Sequence, residues 1–405
     1  MLIDGKRELA YVVTIDEIKP IPNYDRVEHA RVGGWWVIVK KDQFSVGEPA
    51  IYIEVDSKVP GQEPFLFLEK KHYKVKTQKM CKVLSQGLLM HPADFNWESF
   101  YDADFDKWFI LDSIGSTWKV GDPMTDMLGI TYAEEHDNKR KAASVDKYKK
   151  MAQRKPALFK KPWARWLMKR DWGRKVMFFF FGKAKDKKNG WPTWVAKTDE
   201  ERCQNMPWLF PGNPEEEWIA TEKVDGTSTT FTMKGRGRKQ EYYVCSRNVV
   251  FDTPEKGCYY DTNVYFEMFE KYNIKNVLTR IMEDYPAIKF VTIQGETYGE
   301  GIQKRTYGLK EHQFKAFNLI FGYEDQIVRF NPIRMTEILS KYGVPCVDIV
   351  DEHFKIPATC DALLTIAEGK SKIDGEMREG LVFRSIDGQR SFKAVSNAFL
   401  LKYHG

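Results

Sequence analysis

The chain has 405 residues, 42% of them hydrophobic and 30% charged, and a net charge of +6; this composition is typical of a soluble globular protein with two or three domains. No run of about 18 apolar residues predicts a membrane span, and residues 1–20 lack the apolar core of a signal peptide. The six cysteines form no Cys-x-x-Cys pair, which argues against a zinc site or a disulfide framework. We therefore expect an intracellular protein without a membrane partner, located in the cytoplasm, or in the nucleus or a host cytoplasm if its source is eukaryotic or viral.

Residues 1–130 are predicted to form a small β-barrel. Short apolar runs at 10–15, 35–39 and 50–55 are separated by turn signals rich in Pro, Gly and Asn. Strands at this close spacing favour a barrel over an α/β unit, and such barrels commonly carry oligonucleotide-binding (OB) surfaces. A barrel with a purely structural role is the alternative.

Residues 131–190 are predicted to form a basic, aromatic-rich linker or insertion. The stretch 139–188 contains 19 Lys or Arg and three acids, a local balance of +16 that leaves the rest of the chain at −10. Trp163, Trp166 and Trp172 alternate with basic residues, and such segments bind nucleic acid because cations neutralise phosphates while rings stack on bases. The alternatives are an amphipathic helix that packs its tryptophans on the protein and a helix that lies on a membrane surface.

Residues 191–405 are predicted to form a mixed domain of strands and helices. The apolar patterns predict strands at 218–221, 228–233, 242–245, 289–294, 314–320 and 381–384. They predict helices at 263–272, 274–285 and 333–342. The chain as a whole is therefore expected to be an α+β protein.

The most informative motif is Lys223-Val224-Asp225-Gly226, preceded by Thr221 and Glu222. A lysine followed at this spacing by a carboxylate and a glycine suits a nucleophile that attacks a nucleotide phosphate. Lys-x-Asp-Gly should nevertheless occur by chance in roughly one chain of this length in ten. The interpretation depends on whether the rest of the chain supplies the other groups of such a site.

Three later residues offer groups that a nucleotide would need. Arg247 directly follows a predicted strand, and its guanidinium suits phosphate or ribose contacts, although a surface arginine is the commoner explanation. Glu296 lies between Gly295 and Gly299 and is expected to be exposed at a strand edge, where it could bind a ribose hydroxyl or a hydrated metal. Phe317 could stack on a purine, although a core phenylalanine is the commoner explanation.

Glu379 and Lys393 are predicted to face one pocket from adjacent antiparallel strands, because they lie 14 residues apart with the Asp387-Gly388 turn between them. An ordinary lysine, with a pKa of about 10.4, is protonated at neutral pH. We therefore expect Lys393 or a bound metal to lower the pKa of Lys223. The carboxylates of Asp225, Glu296 and Glu379 are candidate Mg²⁺ ligands, directly or through water.

Taken in chain order, these elements resemble the nucleotide-binding motifs of the covalent nucleotidyltransferases, the superfamily of polynucleotide ligases and mRNA capping enzymes. Two departures narrow the resemblance: Ser228 stands where DNA ligases and capping enzymes usually have arginine, and the chain ends twelve residues after Lys393, which leaves no room for their C-terminal OB domain. The barrel segments resemble instead the ATP-dependent RNA ligases with an N-terminal OB domain, the type known from Deinococcus and Naegleria. The segments that carry this resemblance are 18–26, 34–37, 46–49, 54–57, 85–87 and 197–202.

This resemblance implies a nucleotidyltransferase (adenylation) domain at 191–405 and an RNA ligase mechanism. Lys223 would attack ATP to form lysyl-AMP and release pyrophosphate. The AMP would pass to a 5′-phosphate RNA end, and a 3′-hydroxyl would then displace it and seal the strand. The implied cofactors are ATP and Mg²⁺ or Mn²⁺, and the implied partner of the monomeric protein is RNA, as a nicked duplex or as free ends.

The resemblance also assigns roles to the site residues. Phe317 would stack on adenine, Glu296 would contact ribose or metal, Glu379 would help to place the metal, and Lys393 would neutralise the α-phosphate. Several RNA ligases have a second lysine two positions after the equivalent of Lys393, where this chain has Val395. The implied nucleotide-binding set comprises Thr221, Glu222, Arg247, Glu296, Phe317, Glu379 and Lys393.

Two other classes of function remain open. A DNA ligase or a GTP-dependent mRNA capping enzyme is disfavoured by Ser228 and by the missing C-terminal domain. A non-catalytic nucleic-acid-binding protein with a degenerate transferase fold is disfavoured because Lys223, Glu296, Glu379 and Lys393 are all present.

Overall fold

The computed structural model of the protein describes residues 2–3, 6–80, 82–133, 161–168, 170, 173, 177, 191–198, 200–213, 215–251, 258, 260 and 262–404. Most of the basic stretch 139–188, including Trp172, therefore lies outside the described residues. Among the described residues, no helix is long and apolar enough to cross a membrane. The cysteines in this part of the chain are free thiols.

The N-terminal domain is built almost entirely from short antiparallel strands. Two short 3₁₀ helices, Leu66–Lys71 and Pro92–Phe95, connect them. The strands are β1 (Leu2–Ile3), β2 (Lys6–Arg7), β3 (Ala10–Thr14), β4 (Glu17–Ile21), β5 (Tyr24–Val32), β6 (Trp35–Lys40), β7 (Pro49–Ile53), β8 (Ser57–Lys58), β9 (Gln78–Met80), β10 (Val83–Ser85), β11 (Leu88–Met90), β12 (Glu98–Asp102), β13 (Lys107–Leu111), β14 (Thr117–Lys119) and β15 (Thr131–Tyr132).

Strand β7 lies at the centre of this domain and is buried along its whole length. It pairs with β3 on one side and β11 on the other. Successive side chains of a strand point to opposite faces, and here each face meets a different apolar core: Ala50 and Tyr52 pack in one, Ile51 and Ile53 in the other. The apolar run 50–55 therefore forms the shared wall of two cores, which explains why it lacks polar alternation.

The second domain contains two antiparallel sheets and most of the helices. Its strands are β16 (Glu201–Arg202), β17 (Glu217–Lys223), β18 (Thr227–Lys234), β19 (Glu241–Ser246), β20 (Val250–Phe251), β21 (Phe290–Tyr298), β22 (Gln313–Gly322), β23 (Ile327–Arg329), β24 (Ile349–Lys355), β25 (Gly380–Ser385) and β26 (Ser391–Val395). The described α-helices are α1 (Pro162–Met168), before this domain, and then α2 (Val264–Lys271), α3 (Ile274–Asp284), α4 (Pro332–Ser340), α5 (Cys360–Ala367) and α6 (Asn397–Phe399), followed by a π-helical turn at Leu400–His404. Short 3₁₀ helices lie at Cys203–Asn205, Pro207–Leu209 and Gly237–Lys239.

The two sheets meet where β17 ends. The five-stranded sheet has the order β16-β26-β25-β17-β24, and the six-stranded sheet has the order β20-β19-β18-β21-β22-β23. Each sheet has its own apolar core: α2, α3 and α4 pack on the six-stranded sheet, and α5 packs on the five-stranded sheet. The short connection 224–226 carries the chain from one sheet to the other, directly after Lys223.

All six strands and three helices predicted for the second domain are present, within a few residues at their ends. Among the elements of this domain with seven or more residues, the predictions missed β24 and α5. Strand β24 lies at the edge of its sheet and exposes Asp351, Glu352 and His353, so it has no apolar run to reveal it. Helix α1 in the basic stretch exposes Trp163 and Trp166 to 48% and 52%.

Specific contacts join the two domains. Trp35 Nε1 donates a hydrogen bond of 2.7 Å to Asn205 Oδ1, and Arg31 forms an ion pair of 3.2 Å with Asp361 on α5. Leu84 of β10 packs against Val395 of β26 and Leu400. The N-terminal domain therefore lies directly against the strand that carries Lys393.

Candidate active site

Lys223 is the last residue of β17, and its position in the sheet brings the predicted basic and acidic groups together. In the strand register, Thr221 lies opposite Val382 and Val382 opposite Lys393, while Lys223 lies opposite Gly380. Residues opposite each other, and residues two apart on a strand, share a face. Thr221, Lys223 and Lys393 therefore lie on one face. The predicted hairpin is present, but it does not place Glu379 beside Lys393: Lys393 lies opposite Val382, whereas Glu379 precedes β25 and its carbonyl oxygen accepts a hydrogen bond from the Ser396 N–H.

Glu379 is the nearest partner of Lys223. The Lys223 ammonium donates a hydrogen bond of 2.7 Å to Glu379 Oε2, with side-chain exposures of 25% and 13%. Glu379 comes directly before β25, and the next residue has no room for a side chain: a Cβ on Gly380 would lie 2.2 Å from the Ala394 carbonyl oxygen. The glycine thus allows the two strands to approach closely beside the ion pair.

The pKa of Lys223 moves in the direction opposite to our expectation. Burial acts to lower it, but attraction to the carboxylates of Glu379, Glu296 and Asp225 is stronger and raises the pKa above its ordinary value. The lowering expected from Lys393 is therefore not found in the protein alone. Without ligands, Lys223 is held as an ammonium ion.

Glu296 faces the same groove from the six-stranded sheet. The prediction that it lies at an exposed strand edge is wrong: β21 continues to Tyr298 and lies between β18 and β22, where Glu296 is opposite Ser228 and Lys315. Burial raises the pKa of Glu296 to about 8, against a smaller lowering by Lys223. A carboxyl group in the middle of a sheet is thus poised to change charge near neutral pH.

Asp225 lies in the connection between the sheets. Burial, reinforced by the charge of Glu379, raises its pKa to about 7. Its Oδ2 atom is buried without a hydrogen-bond partner, which is costly unless a ligand satisfies it. The next residue is a glycine by necessity, because a Cβ on Gly226 would lie 2.4 Å from the Thr297 carbonyl oxygen.

The oxygen donors of Asp225, Glu296 and Glu379 fit a hard divalent cation. Mg²⁺ binds carboxylates and keeps several waters, and the unpartnered Asp225 Oδ2 offers it a ligand. In the part of the chain that the structure describes, no three acidic, His or Cys side chains form a ready-made metal cage. The donor set therefore suits a hydrated cation held partly through water.

Phe317 occupies an irregular position in β22. Gln294 pairs with Asn318 and Gly295 pairs with Ala316, so that Phe317 is the extra residue of a β-bulge. Bulges redirect a side chain and occur beside active sites. Phe317 is half-buried at the border of the core of the six-stranded sheet, on the same sheet as Glu296.

Arg247 and Glu222 contact protein groups. Arg247 follows β19, and its Nη2 lies 3.4 Å from Tyr132 Oη of the N-terminal domain, with the guanidinium 5.8 Å from the centre of that ring. Glu222 points away from Lys223 into the sheet, where it accepts hydrogen bonds from the Ser371 hydroxyl and the Lys372 N–H. The structure thus brings Thr221, Asp225, Glu296, Glu379 and Lys393 around Lys223, while Glu222 fixes a neighbouring loop.

The comparisons with known proteins agree with this geometry. The sequence model of the RNA ligase family matches residues 216–403, a range that includes Lys223 and the carboxylates around it. The second domain belongs to the RNA ligase family. A model of an OB-fold domain matches residues 9–92. No curated protein gave a match.

Solved structures of Naegleria gruberi RNA ligase resemble this chain from end to end. The structure with pyrophosphate is 25% identical, with a TM-score of 0.65, and the alignment covers 98% of this chain and 99% of that one. A mutant with AMP and Mn has the same identity, TM-score and coverage, and an apo mutant has a TM-score of 0.66 at 25% identity, covering 98% of both chains. The predicted α+β architecture, an OB barrel followed by a nucleotidyltransferase domain, is confirmed.

Sequence reasoning missed several residues that shape the ligase groove. Thr198 shares a hydrogen bond of 2.8 Å with Ser228, and Lys315 forms an ion pair with Asp348 beside β17. Tyr307 binds the backbone of Asp225. Thr198 lies in the segment 197–202 that carries the family resemblance, but nothing in that segment predicts its contact in the site. Lys315 and Tyr307 lie far from Lys223 in sequence, so only the assembled fold reveals their contacts.

Proposed function

We propose that this protein is an ATP-dependent RNA ligase that acts through lysyl-AMP and joins 3′-hydroxyl to 5′-phosphate ends. The observation that carries the proposal is the Lys223–Glu379 pair at 2.7 Å, placed where the two sheets meet and faced by two carboxyl groups with raised pKa values. Structural ion pairs rarely gather uncompensated carboxyl groups around one lysine. A lysine nucleophile that must bind a metal–nucleotide complex needs such carboxyl groups around it.

In the first step, Lys223 Nζ would attack the α-phosphorus of ATP. The new N–P bond would form as the bond from phosphorus to the bridging oxygen breaks, and pyrophosphate would leave on the opposite side. The attack requires Nζ to lose a proton, and Glu379 Oε2 is the acceptor already in hydrogen-bond contact. Lys393, on the same face of the sheet, is placed to neutralise the α-phosphate.

Asp225, Glu296 and Glu379 would hold a divalent cation, with Mg²⁺ or Mn²⁺ as candidates. When bound, such a cation neutralises phosphate charge and offsets the carboxylates that hold Lys223 as an ammonium ion. Phe317 would stack on the adenine, and Arg247 would contact the ribose or a phosphate. Thr221 shares one face of the sheet with Lys223 and Lys393 and would contact the nucleotide there.

In the later steps, AMP would pass from Lys223 to the 5′-phosphate of an RNA end, and the 3′-hydroxyl of the other end would displace it. The family of the second domain and the OB-fold domain support RNA as the substrate. The basic stretch 139–188 would add affinity by neutralising phosphates. We expect the protein to act as a monomer inside the cell.

The test is transfer of label from α-labelled ATP or GTP to the protein. The protein is first treated with pyrophosphate, which discharges any lysyl-AMP already present. Wild type should take label from ATP, and Lys223→Ala should take none. Lys234→Ala, which removes an exposed lysine from the far end of β18, should label like wild type.

The second part of the test separates the substrates. Labelled protein is chased with nicked duplexes that carry RNA or DNA on the 3′-hydroxyl side. Sealing of the RNA nick at a rate at least about tenfold above the DNA nick would support an RNA ligase, since losing a buried hydrogen bond to a ribose hydroxyl has about this effect. Label from GTP alone, or no label with either nucleotide, would contradict the proposal.

A further inference from the structure

One loop of the ligase domain holds the backbone that follows Lys223. The loop 299–312 connects β21 to β22 and crosses over the connection between the two sheets. Tyr307 Oη accepts a hydrogen bond of 2.7 Å from the Asp225 N–H, and Gln303 Nε2 donates one of 3.0 Å to the Gly226 carbonyl oxygen. Both ends of the Asp225-Gly226 unit are therefore fixed by the same loop.

The hydrogen bond from Asp225 to Tyr307 is buried. Tyr307 and Asp225 are only 5% and 6% exposed, so water cannot replace the tyrosine oxygen as an acceptor. Burial also raises the pKa of Tyr307, which keeps the ring in its neutral phenol form. Loss of this one oxygen would leave a buried N–H without an acceptor, an arrangement that folded proteins avoid.

The loop adopts an unfavourable backbone to make these contacts. Gln303 and Tyr307 have φ angles of 58° and 54°, in the left-handed region that residues with a side chain seldom enter. Local strain of this kind persists only where surrounding contacts hold it, and it clusters at functional sites. Both strained residues are the ones that bind the Asp225-Gly226 unit.

Arg305, between these two residues, connects the same loop to Glu379. Its guanidinium lies 4.1 Å from the centre of the Tyr307 ring, and its Nη2 donates a hydrogen bond of 2.7 Å to Asp374 Oδ1. Its Nη1 also donates to the Met377 carbonyl oxygen, two residues before Glu379. One loop thus braces the segments that carry two of the three carboxylates around Lys223.

We propose that Tyr307 is a positioning residue of the ligase site, which fixes the Asp225 backbone so that the carboxylate faces the reacting phosphate. The inference rests on the proposed adenylyl transfer to Lys223. Tyr307 acts through Asp225 and contacts no reacting atom. Gln303 supports the same unit from its other end.

The experiment measures single-turnover lysyl-AMP formation with Tyr307→Phe, which removes only the phenolic oxygen. At saturating ATP the rate constant should fall about tenfold, as expected for one buried hydrogen bond. The ATP concentration for half-maximal rate should change less than about twofold, because the adenine contacts are intact. The final labelled fraction should stay equal to wild type, which a variant that merely unfolds would not show.

Tyr342→Phe is the matched control. It removes a tyrosine hydroxyl that donates a hydrogen bond of 2.6 Å to Asp284, between α4 and α3 and away from the groove. Its rate constant should stay within about twofold of wild type. Equal rates for Tyr307→Phe and Tyr342→Phe, or a lowered labelled fraction with an unchanged rate, would overturn the proposal. If wild type itself takes no label, the proposed function fails instead.

Gln303→Ala keeps the proposal testable should Tyr307→Phe fold poorly, because the Gln303 side chain is exposed. Its rate constant should fall about threefold, and the pair of substitutions should be non-additive, since both loosen one unit. Backbone hydrogen exchange in peptide 222–228 should quicken in both variants while Tm stays near wild type. Unchanged exchange in this peptide would also overturn the proposal.

Discussion

The charged groups on the two sheets of the ligase domain differ in whether a partner of opposite charge compensates them. On the five-stranded sheet, Lys223 has an anionic partner at 2.7 Å. Across the groove, Glu296 and the adjoining Asp225 have pKa values raised to about 8 and about 7, mainly by burial. On the five-stranded side the charge of Lys223 is paired within the protein, whereas on the six-stranded side burial outweighs the attraction that Lys223 and Arg247 exert on Glu296. The difference indicates which side of the groove gains from a cationic ligand.

Polarity alone does not distinguish the two sheets. The six-stranded sheet buries many polar side chains, and several of them hydrogen-bond to one another: Thr232 and Thr292 share a hydrogen bond of 2.7 Å, and Asn318 Nδ2 donates one of 3.0 Å to Gln294 Oε1. Gln294 in turn donates to the Ala196 carbonyl oxygen at 2.8 Å. The Asn318 Oδ1 atom, however, is buried without a partner. Buried polar groups with partners are structural. Among the atoms of the described residues that are buried without a partner, Asp225 Oδ2 is the one carboxylate oxygen, and this distinguishes the site.

The largest expected effect comes from removing the ion pair between Lys223 and Glu379 on the five-stranded sheet. Glu379→Gln removes the partner of Lys223 without changing its size, and lysyl-AMP formation should slow by at least about 100-fold, the scale for loss of a charged group in an active site. The pKa of Lys223 should fall, because burial then outweighs the remaining attraction. The residual activity should therefore reach its plateau at lower pH, measured by labelling across pH 6–9.

Glu376→Gln is the control for this prediction, since it removes an exposed carboxylate from the same loop. It should label at the wild-type rate and with the wild-type pH profile. A Glu379→Gln variant with wild-type activity would show that the ion pair is only structural.

A smaller effect, on thermal stability, should come from replacing Glu296 on the six-stranded sheet. A carboxyl group whose pKa is raised on folding stabilises the protein below its ordinary pKa and loses that stabilisation as pH rises through the raised value. For Glu296 this loss runs from about pH 4.5 to above its pKa of about 8. Because glutamine cannot ionise, the Tm of Glu296→Gln relative to wild type should increase between pH 6 and 9, by about 2–6 °C.

Thermal melts without nucleotide or metal measure this trend, and Glu241→Gln, at an exposed position on β19, should show none. The same Glu296→Gln variant should be defective in labelling. If the difference in Tm between Glu296→Gln and wild type did not change across this pH range, the charge of Glu296 would already be compensated within the protein. The two sheets would then not differ in this respect.

The smallest expected effect concerns the contact between domains. Tyr132→Phe removes the oxygen that lies 3.4 Å from Arg247 Nη2 but keeps the ring beneath the guanidinium. Since a long hydrogen bond is weak, the KM for ATP should rise about two- to threefold with kcat unchanged. Tyr73→Phe, elsewhere in the N-terminal domain, is the control. A fall in kcat instead would show that Arg247 acts in the chemical step.

The sequence predicted the parts of the site that follow local patterns. Lys223 and Lys393 lie in strands, and Glu379 directly precedes one. The short apolar runs and the Asp387-Gly388 turn reveal these strands and their pairing from the sequence. Glu296 was misplaced because a glycine on each side resembles a turn, whereas Gly295 serves a close approach: a Cβ there would lie 2.4 Å from the Lys315 carbonyl oxygen. Tyr307 was missed because its partner is 82 residues away in sequence.

Val395 shows how a missing charge can be explained only by tertiary structure. Several RNA ligases have a second lysine at this position, and the residues next to Val395 in the sequence do not explain the valine. In the fold it packs with Leu84 and Leu400 between the domains, where an ammonium group would be costly to bury. The position serves contact between the domains.

That apolar contact affects how the two domains can be exchanged. Leu84 belongs to the N-terminal domain, yet it packs on the strand that carries Lys393. A chimaera that combines this ligase domain with a foreign barrel would need an apolar residue at the equivalent place, or it would leave an uncovered apolar patch on the strand that carries Lys393. The barrel is thus part of what shapes the pocket, and a swap of substrate specificity by domain exchange should carry β10 along with the ligase half.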